Sequence, residues 1–146
     1  MTRNATLNDI DRLSILFDSY RVFYGKLSDI NAAKQFLSER LTKNESIIFV
    51  SETPEGHLTG FVQLYPLFSS TRLKRLWLLN DLFVHPDFRS QGYSIALIDK
   101  AKELAISSKS EGLILETDKT NMIGNNLYPK TGFIVDDDHN YYSWSE

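Results

Sequence analysis

Apolar residues fall first at helical spacing: Ile10, Leu13, Phe17 and Tyr20 return every third or fourth position and so share one face of a helix. Thr6 or Asn8 supplies the cap such a start needs, and Gly25 ends the pattern. A second stripe, Ile30, Ala33, Leu37 and Leu41, predicts a helix from Ser28 to Leu41. The spacing then changes. SIIFVS (Ser46 to Ser51) is β-branched and aromatic, and TPEG (Thr53 to Gly56) has proline second and glycine fourth, as a type I turn prefers. HLTGFVQLYPLF (His57 to Phe68) returns as a longer strand, so the two form an antiparallel hairpin. RLKRLWLLNDLFV (Arg72 to Val84) is nearly continuous in apolar residues at its end, as befits a central strand covered on both faces.

A clear helix follows, with Leu97, Ile98, Ala101, Leu104 and Ala105 on one side and Asp99, Lys100, Lys102 and Glu103 on the other. It ends between Ser107 and Gly112, and GLILET (Gly112 to Thr117) reads as a short buried strand, completing a βαβ unit with parallel strands. A short helix spans Asn121 to Lys130 and exits at Gly132. Phe133 to Trp144 then reads as a final hairpin turning at DDDHN. The order helix-helix-β-β-β-α-β-α-β-β predicts a mixed α/β fold, a single domain over residues 1–146.

Composition narrows the chemistry. The absence of cysteine excludes disulfides, thiolate zinc sites and a cysteine nucleophile. His57, His85 and His139 are scattered, so no metal site is expected. The net charge of −3 argues against a nucleic-acid partner and suits a cationic or neutral small substrate. Strand alternation divides Arg72, Lys74 and Arg75 between faces, which makes them a solvated strand end. No apolar run reaches the ~18 residues of a membrane span, and MTRNATLNDID lacks the apolar core of a signal peptide. A cytoplasmic protein is expected.

The junction HPDFRSQGYSIALIDKA (His85 to Ala101) carries the most specific signal. A helix start leaves its first amides without partners, and the dipole adds roughly half a positive charge there. Small residues let the backbone approach a phosphate closely. Arg89, Ser90, Gln91, Gly92, Tyr93 and Ser94 meet these needs, so the expected ligand is a phosphate or pyrophosphate. The strings G-x-x-x-x-G-K-[ST] and G-x-G-x-x-G, which would signal a nucleoside triphosphate or a dinucleotide, are absent.

Arg89-x-x-Gly92-x-Ser94 resembles the R/Q-x-x-G-x-G/A pyrophosphate loop of the GNAT N-acetyltransferase family. LNDLFVHPDFR (Leu79 to Arg89) is similar to that family's L-E-D-L-F-V-x-P-x-Y-R. LETDKTNMIGNNLYPKTGF (Leu115 to Phe133) is similar to L-E-V-x-x-x-N-x-x-A-x-x-L-Y-x-K-x-G-F, and RNATLNDIDRL to the opening R-x-A-x-x-x-D-x-x-x-L. Ser94 stands where glycine or alanine is usual, and Pro129 follows Tyr128 inside the last turn of the short helix, which it should distort or end.

The resemblance implies a mixed, mostly antiparallel central sheet with helices on both faces and central strands splayed at the coenzyme site. It implies direct acetyl transfer from acetyl-CoA to a primary amine of a small molecule, polyamine or amino-acid-like. The motif is closest to diamine- and histone-type members, so protein lysines or N-termini are the alternative acceptors. A non-catalytic acyl-CoA-binding module is the reading of a different class. Tyr128 would be the general acid, against a plain core aromatic. The loop from Arg89 through Ile95 would hold the diphosphate, and the backbone of Leu82, Phe83 and Val84 the pantetheine arm and the oxyanion. Asn121 would bond the pantetheine amide, or simply cap its helix. Relatives place a glutamate base where this chain has Asn80; Asp81, on the opposite face of a regular strand, and Glu116, on the next strand, are the alternatives. A water relay, or an amine delivered already neutral, stays equally open. Asp136, Asp137 and Asp138 form a solvated turn or attract a cationic amine. Tyr65, Tyr141 and Trp144 line the acceptor pocket or belong to the sheet, and the Tyr141 to Trp144 run would suit the homodimer edge the resemblance implies.

Overall fold

The β-branched run after residue 46 forms strand β2 (Ile47–Glu52), and the proline-glycine turn folds it back onto β3 (Leu58–Ser69). The Gly56 amide closes that turn on the Thr53 carbonyl at 2.9 Å. The computed structural model describes residues 1–146 and places this hairpin within a five-stranded sheet. With β1 (Thr2–Asn4), β4 (Lys74–Val84) and β5 (Leu113–Ile114), the order is β1-β2-β3-β4-β5. Only the β4–β5 pair is parallel. Strand β1 was not foreseen, because three polar residues carry no strand pattern; pairing with β2 makes it, from Thr2↔Ser51 to Asn4↔Phe49.

Alternation sends Ile48 and Val50 to one face of the sheet and Phe49 to the other. On the first face they join Phe61 and Phe83 against α1 (Ile10–Phe23) and α2 (Ile30–Thr42), through Leu13, Leu16, Phe17, Ala33 and Leu37. Helix α3 (Tyr93–Ser107) buries Leu97, Ile98, Ala101 and Ala105, packs on β2, β3 and β4, and contributes nothing to that cluster. Helices therefore cover both faces, as expected.

Two irregularities shape β4. It pairs with β5 only at Trp77↔Leu113 and Leu78↔Ile114, then runs on to Val84 without it. The strand expected over Gly112 to Thr117 is thus shorter and less buried than its apolar sequence suggested: Ile114 is 43% exposed, because β5 leaves the sheet as soon as the splay begins. The register against β3 also slips, from Gln63↔Asp81 to Leu64↔Leu79, which leaves Asn80 as the extra residue of a bulge.

The chain divides into two compact units, Met1–Leu115 and Glu116–Glu146. The second contains α4 (Met122–Lys130). Pro129 does not stop this helix at once. Gly132, at φ 90°, ends it in a Schellman arrangement, with the Phe133 amide on the Tyr128 carbonyl at 3.0 Å and the Gly132 amide on the Pro129 carbonyl at 3.1 Å. The final hairpin expected from Phe133 to Trp144 does not form. Its acidic turn closes on itself instead: the Asp136 carboxylate accepts from the Asp138 amide at 2.9 Å and the Tyr141 hydroxyl at 3.2 Å, with His139 Nδ1 at 2.8 Å. Ile134, Val135, Tyr141, Tyr142 and Trp144 stay exposed, and an apolar hairpin face without a facing layer has little to stabilise it.

Candidate functional site

The ladder between β3 and β4 decides which way the β4 backbone points. The His85 amide donates to the Thr59 carbonyl at 2.9 Å, so Phe83 opposite Phe61 is also a hydrogen-bonded pair. Leu82 and Val84 then turn their amides and carbonyls the other way, along the stretch that β5 has left. Of the backbone groups named from the sequence, those of Phe83 belong to the ladder. Those of Leu82 and the Val84 amide face the open edge. The Val84 carbonyl accepts from Arg89 Nε at 3.1 Å. Gly60 allows the close approach behind this edge, since a Cβ there would lie 2.6 Å from the Phe83 carbonyl oxygen.

A 3-10 turn (Pro86–Phe88) leads from β4 into the loop before α3. Ser90, at φ 60°, and Gly92, at φ 83°, are both left-handed, a conformation that costs a residue with a Cβ about 1 kcal/mol. The first intrahelical bond of α3 runs from the Ala96 amide to the Gly92 carbonyl at 3.1 Å. The amides of Tyr93, Ser94 and Ile95 therefore have no helical carbonyl, and no side chain caps them. Two other starts are closed by side chains: Asp29 accepts from the Ala32 amide at 3.0 Å, and Asn121 from the Gly124 amide at 3.1 Å. Helix α1 is entered from a 3-10 turn (Leu7–Asp9), its Ile10 amide on the Leu7 carbonyl. Ser90, Gln91, Gly92 and Ile95 are exposed, so the open, positive helix end is accessible to an anion. Arg89 is folded inward, its guanidinium carbon 5.3 Å from the Phe23 ring centre and 5.8 Å from that of Phe83. It ties the loop to the end of β4.

The bulge corrects one expectation. Asn80 and Asp81 do not point to opposite faces: Asn80 Nδ2 donates to Asp81 Oδ1 at 3.1 Å. The same carboxylate accepts from the Tyr20 hydroxyl at 2.9 Å and from Gln63 Nε2 at 2.8 Å, while Ser46 donates to Gln63 Oε1 at 2.8 Å. Asp81 is only 6% exposed. Burial, and then the Asp81 charge, push the nearby Tyr65 phenol up to about 12. Sequence reasoning missed Tyr20 and Gln63 as partners of this carboxylate. The legible signal was a glutamine and an aspartate, each set in an otherwise apolar strand, that a paired register brings opposite one another. Glu116, expected on a strand, is an exposed residue beyond β5.

In the second unit Asn121 is the cap of α4, and its Nδ2 also donates to Thr117 Oγ1 at 2.9 Å. Tyr128 is half-buried, its ring 5.7 Å from that of Phe133 across the Schellman turn. Gly124 makes room on this helix face: a Cβ there would lie 2.7 Å from Asn121 Nδ2 and 3.2 Å from Tyr128 Cε2. Asp136 sits below the usual carboxylate range, chiefly through its bond to His139. No helix of the protein is long and apolar enough to cross a membrane.

Comparison with known proteins bears on what this arrangement serves. The model of the acetyltransferase (GNAT) family matches residues 13–133. An uncharacterized N-acetyltransferase of Bacillus subtilis, YhfO, is 40% identical over 134 residues, covering 92% of this chain and 89% of the relative. The crystal structure of a probable acetyltransferase superposes with a TM-score of 0.96 at 36% identity, over 100% of this chain and 97% of that one. A ribosomal-protein-alanine N-acetyltransferase from Brucella melitensis shares the fold, with a TM-score of 0.82 at 21% identity over 100% and 99% of the two chains.

Proposed function

The chain belongs to the GNAT acetyltransferase family, with acetyl-CoA as the acetyl donor, and from that premise we propose that it acetylates the primary amine of a small molecule, polyamine or amino-acid-like. The observation that carries the reading is the uncapped start of α3 beside the open edge of β4, both within the first unit. The amides of Gln91 through Ile95 are suited to the diphosphate of the donor. The Leu82 amide and carbonyl and the Val84 amide are suited to its amide-bearing arm, and an edge amide would also serve the oxygen on which charge develops. Tyr128 as the acid at sulfur, and Asn121 as a further contact to the arm, are assigned from the family motif. The family match runs from residue 13 to 133, which supports reading the whole chain as one acetyltransferase domain. A homodimer through the C-terminal segment is part of the same proposal, supported by the exposed Tyr141, Tyr142 and Trp144, and light scattering tests it.

The decisive experiment is calorimetric titration with acetyl-CoA, followed by thiol release on a panel of small amines. Binding without turnover on any amine or peptide would turn the reading to a coenzyme-binding module; no binding would end it. Tyr128→Phe should lower turnover roughly a hundredfold while leaving acetyl-CoA affinity nearly unchanged. Unchanged turnover removes Tyr128 from the chemistry.

A further inference from the structure

At the β4 bulge the nearest carboxylate is already engaged. The two oxygens of Asp81 take hydrogen bonds from Tyr20, Gln63 and Asn80, and the residue is nearly buried. A carboxylate only accepts, so the part of Asn80 that meets it must be the NH₂. The amide oxygen of Asn80 is consequently turned away from Asp81, on an exposed side chain two positions before the backbone of Leu82 at the open edge. An oxygen of this kind accepts a hydrogen bond from an amine, and it takes no proton at any ordinary pH.

The titratable groups on the elements packed around this point are Asp81 on β4, Tyr20 and Tyr24 on α1, and Tyr65 on β3, with Arg40 and Glu45 acting on Tyr65. Phenols are protonated at neutral pH, their ordinary pKa being about 10. Within the first unit, then, the bulge has an oriented acceptor and no carboxylate left uncommitted. We propose that Asn80 receives the acceptor amine on its amide oxygen, and that the amine attacks already neutral, with no carboxylate of the first unit taking its proton. This deepens the proposed acetyl transfer and rests on it.

The step balances without a base. The nitrogen lone pair forms the bond to the acetyl carbon as the carbon–sulfur bond breaks. One N–H proton leaves nitrogen and one proton arrives on sulfur, so an amide and a thiol form with no net proton exchange. An ammonium substrate loses its extra proton to water beforehand.

The test uses the wild-type protein with a series of primary amines whose own pKa values run from about 7 to about 10, the upper end being that of a free alkylamine. For each, kcat/KM is measured against pH by thiol release. The rising limb should move with the pKa of the amine. Asn80→Ala should lower kcat/KM about tenfold to a hundredfold without shifting the limb, and Asn80→Glu should add a limb common to all the amines. Acetyl-CoA titration of each variant controls for folding, and the wild-type series needs no variant. A wild-type limb at one fixed pH for every amine overturns the proposal while leaving acetyl transfer intact; Glu116→Gln then asks whether that carboxylate is the base. Full activity in Asn80→Ala also overturns it. Turnover on no amine sinks both this proposal and the reading beneath it.

Discussion

The starts of α1 and α3 are made of the same backbone and finished in opposite ways. Ahead of α1 no side chain caps the helix; a 3-10 turn (Leu7–Asp9) supplies backbone instead, the Ile10 amide resting on the Leu7 carbonyl, and a charged cluster braces that turn. Asp9 accepts the Thr6 amide at 2.9 Å, both terminal nitrogens of Arg3 at 2.8 Å, and Arg12 at 2.8 Å. Arg3 also grips Glu52 at 3.0 and 2.9 Å, which ties the helix start to β2. Ahead of α3 there are two left-handed residues, Ser90 and Gly92, and three amides that meet neither a side chain nor a helical carbonyl. One start puts its hydrogen-bonding capacity into the fold. The other holds it in reserve, at a local cost in strain, and that reserve is what an anionic donor would use.

Breaking the braced start should have the largest effect. Arg3→Ala leaves the carboxylates of Asp9 and Glu52, residues only 2% and 8% exposed, without their main cation. The expected loss is about 3 kcal/mol, a fall of roughly 6–12 °C in Tm by calorimetry, with acetyl-CoA affinity of the folded protein unchanged. A negligible fall would show that the cluster is ornamental. The reciprocal change is Gly92→Asp, which places an internal anion where the donor's diphosphate is proposed to sit. Affinity for acetyl-CoA should drop about a hundredfold, equivalent to ~2.7 kcal/mol, while stability shifts by only about 1 kcal/mol. Undiminished affinity would place the diphosphate elsewhere and end the contrast between the two starts.

Acid offers a third, smaller probe. The Arg3 guanidinium holds Asp9 and Glu52 well below the usual carboxylate range, and the Ser28 hydroxyl, then the Asp29 amide, do the same for Asp18. A carboxyl whose pKa is depressed by folding stabilises fully above its unfolded value, about 4, and the contribution is lost as pH falls through the folded values. Tm should therefore decline as pH drops below about 4, and Arg3→Ala should flatten that decline. A profile equally steep in the variant would assign acid sensitivity to other groups.

The features legible in the sequence were those held within one segment. The stripes of α1, α2 and α3, the Thr53–Gly56 turn, the loop before α3 and the Asn121 cap each follow from a few neighbouring residues and are present as expected. What escaped was relational. Strand β1 exists because β2 offers an edge, and the Asn80 bulge is a property of two strands and their register. The bond between Tyr20 and Asp81 joins residues 61 positions apart, which no local spacing reveals. The C-terminal hairpin failed for the converse reason: its alternation was legible, but pattern alone supplies no partner layer.

The smallest test concerns α2, whose start is closed by a side-chain cap. Asp29 caps the Ala32 amide, while its own amide rests on Asp18 Oδ1 at 2.7 Å and Ser28 donates to the other oxygen of Asp18 at 2.6 Å. Asp29→Ala removes the side-chain cap and leaves the Asp18 contacts, which need only backbone and serine. The cost should be about 1 kcal/mol, near 3 °C in a thermal scan, because one first-turn amide passes from a carboxylate to water. Acetyl-CoA affinity should not move, since the anion is proposed to use the amides of α3. If opening α2 in this way raised affinity, any uncapped helix start in this fold would attract the donor. The left-handed loop and the open β4 edge would then lose their claim to specificity.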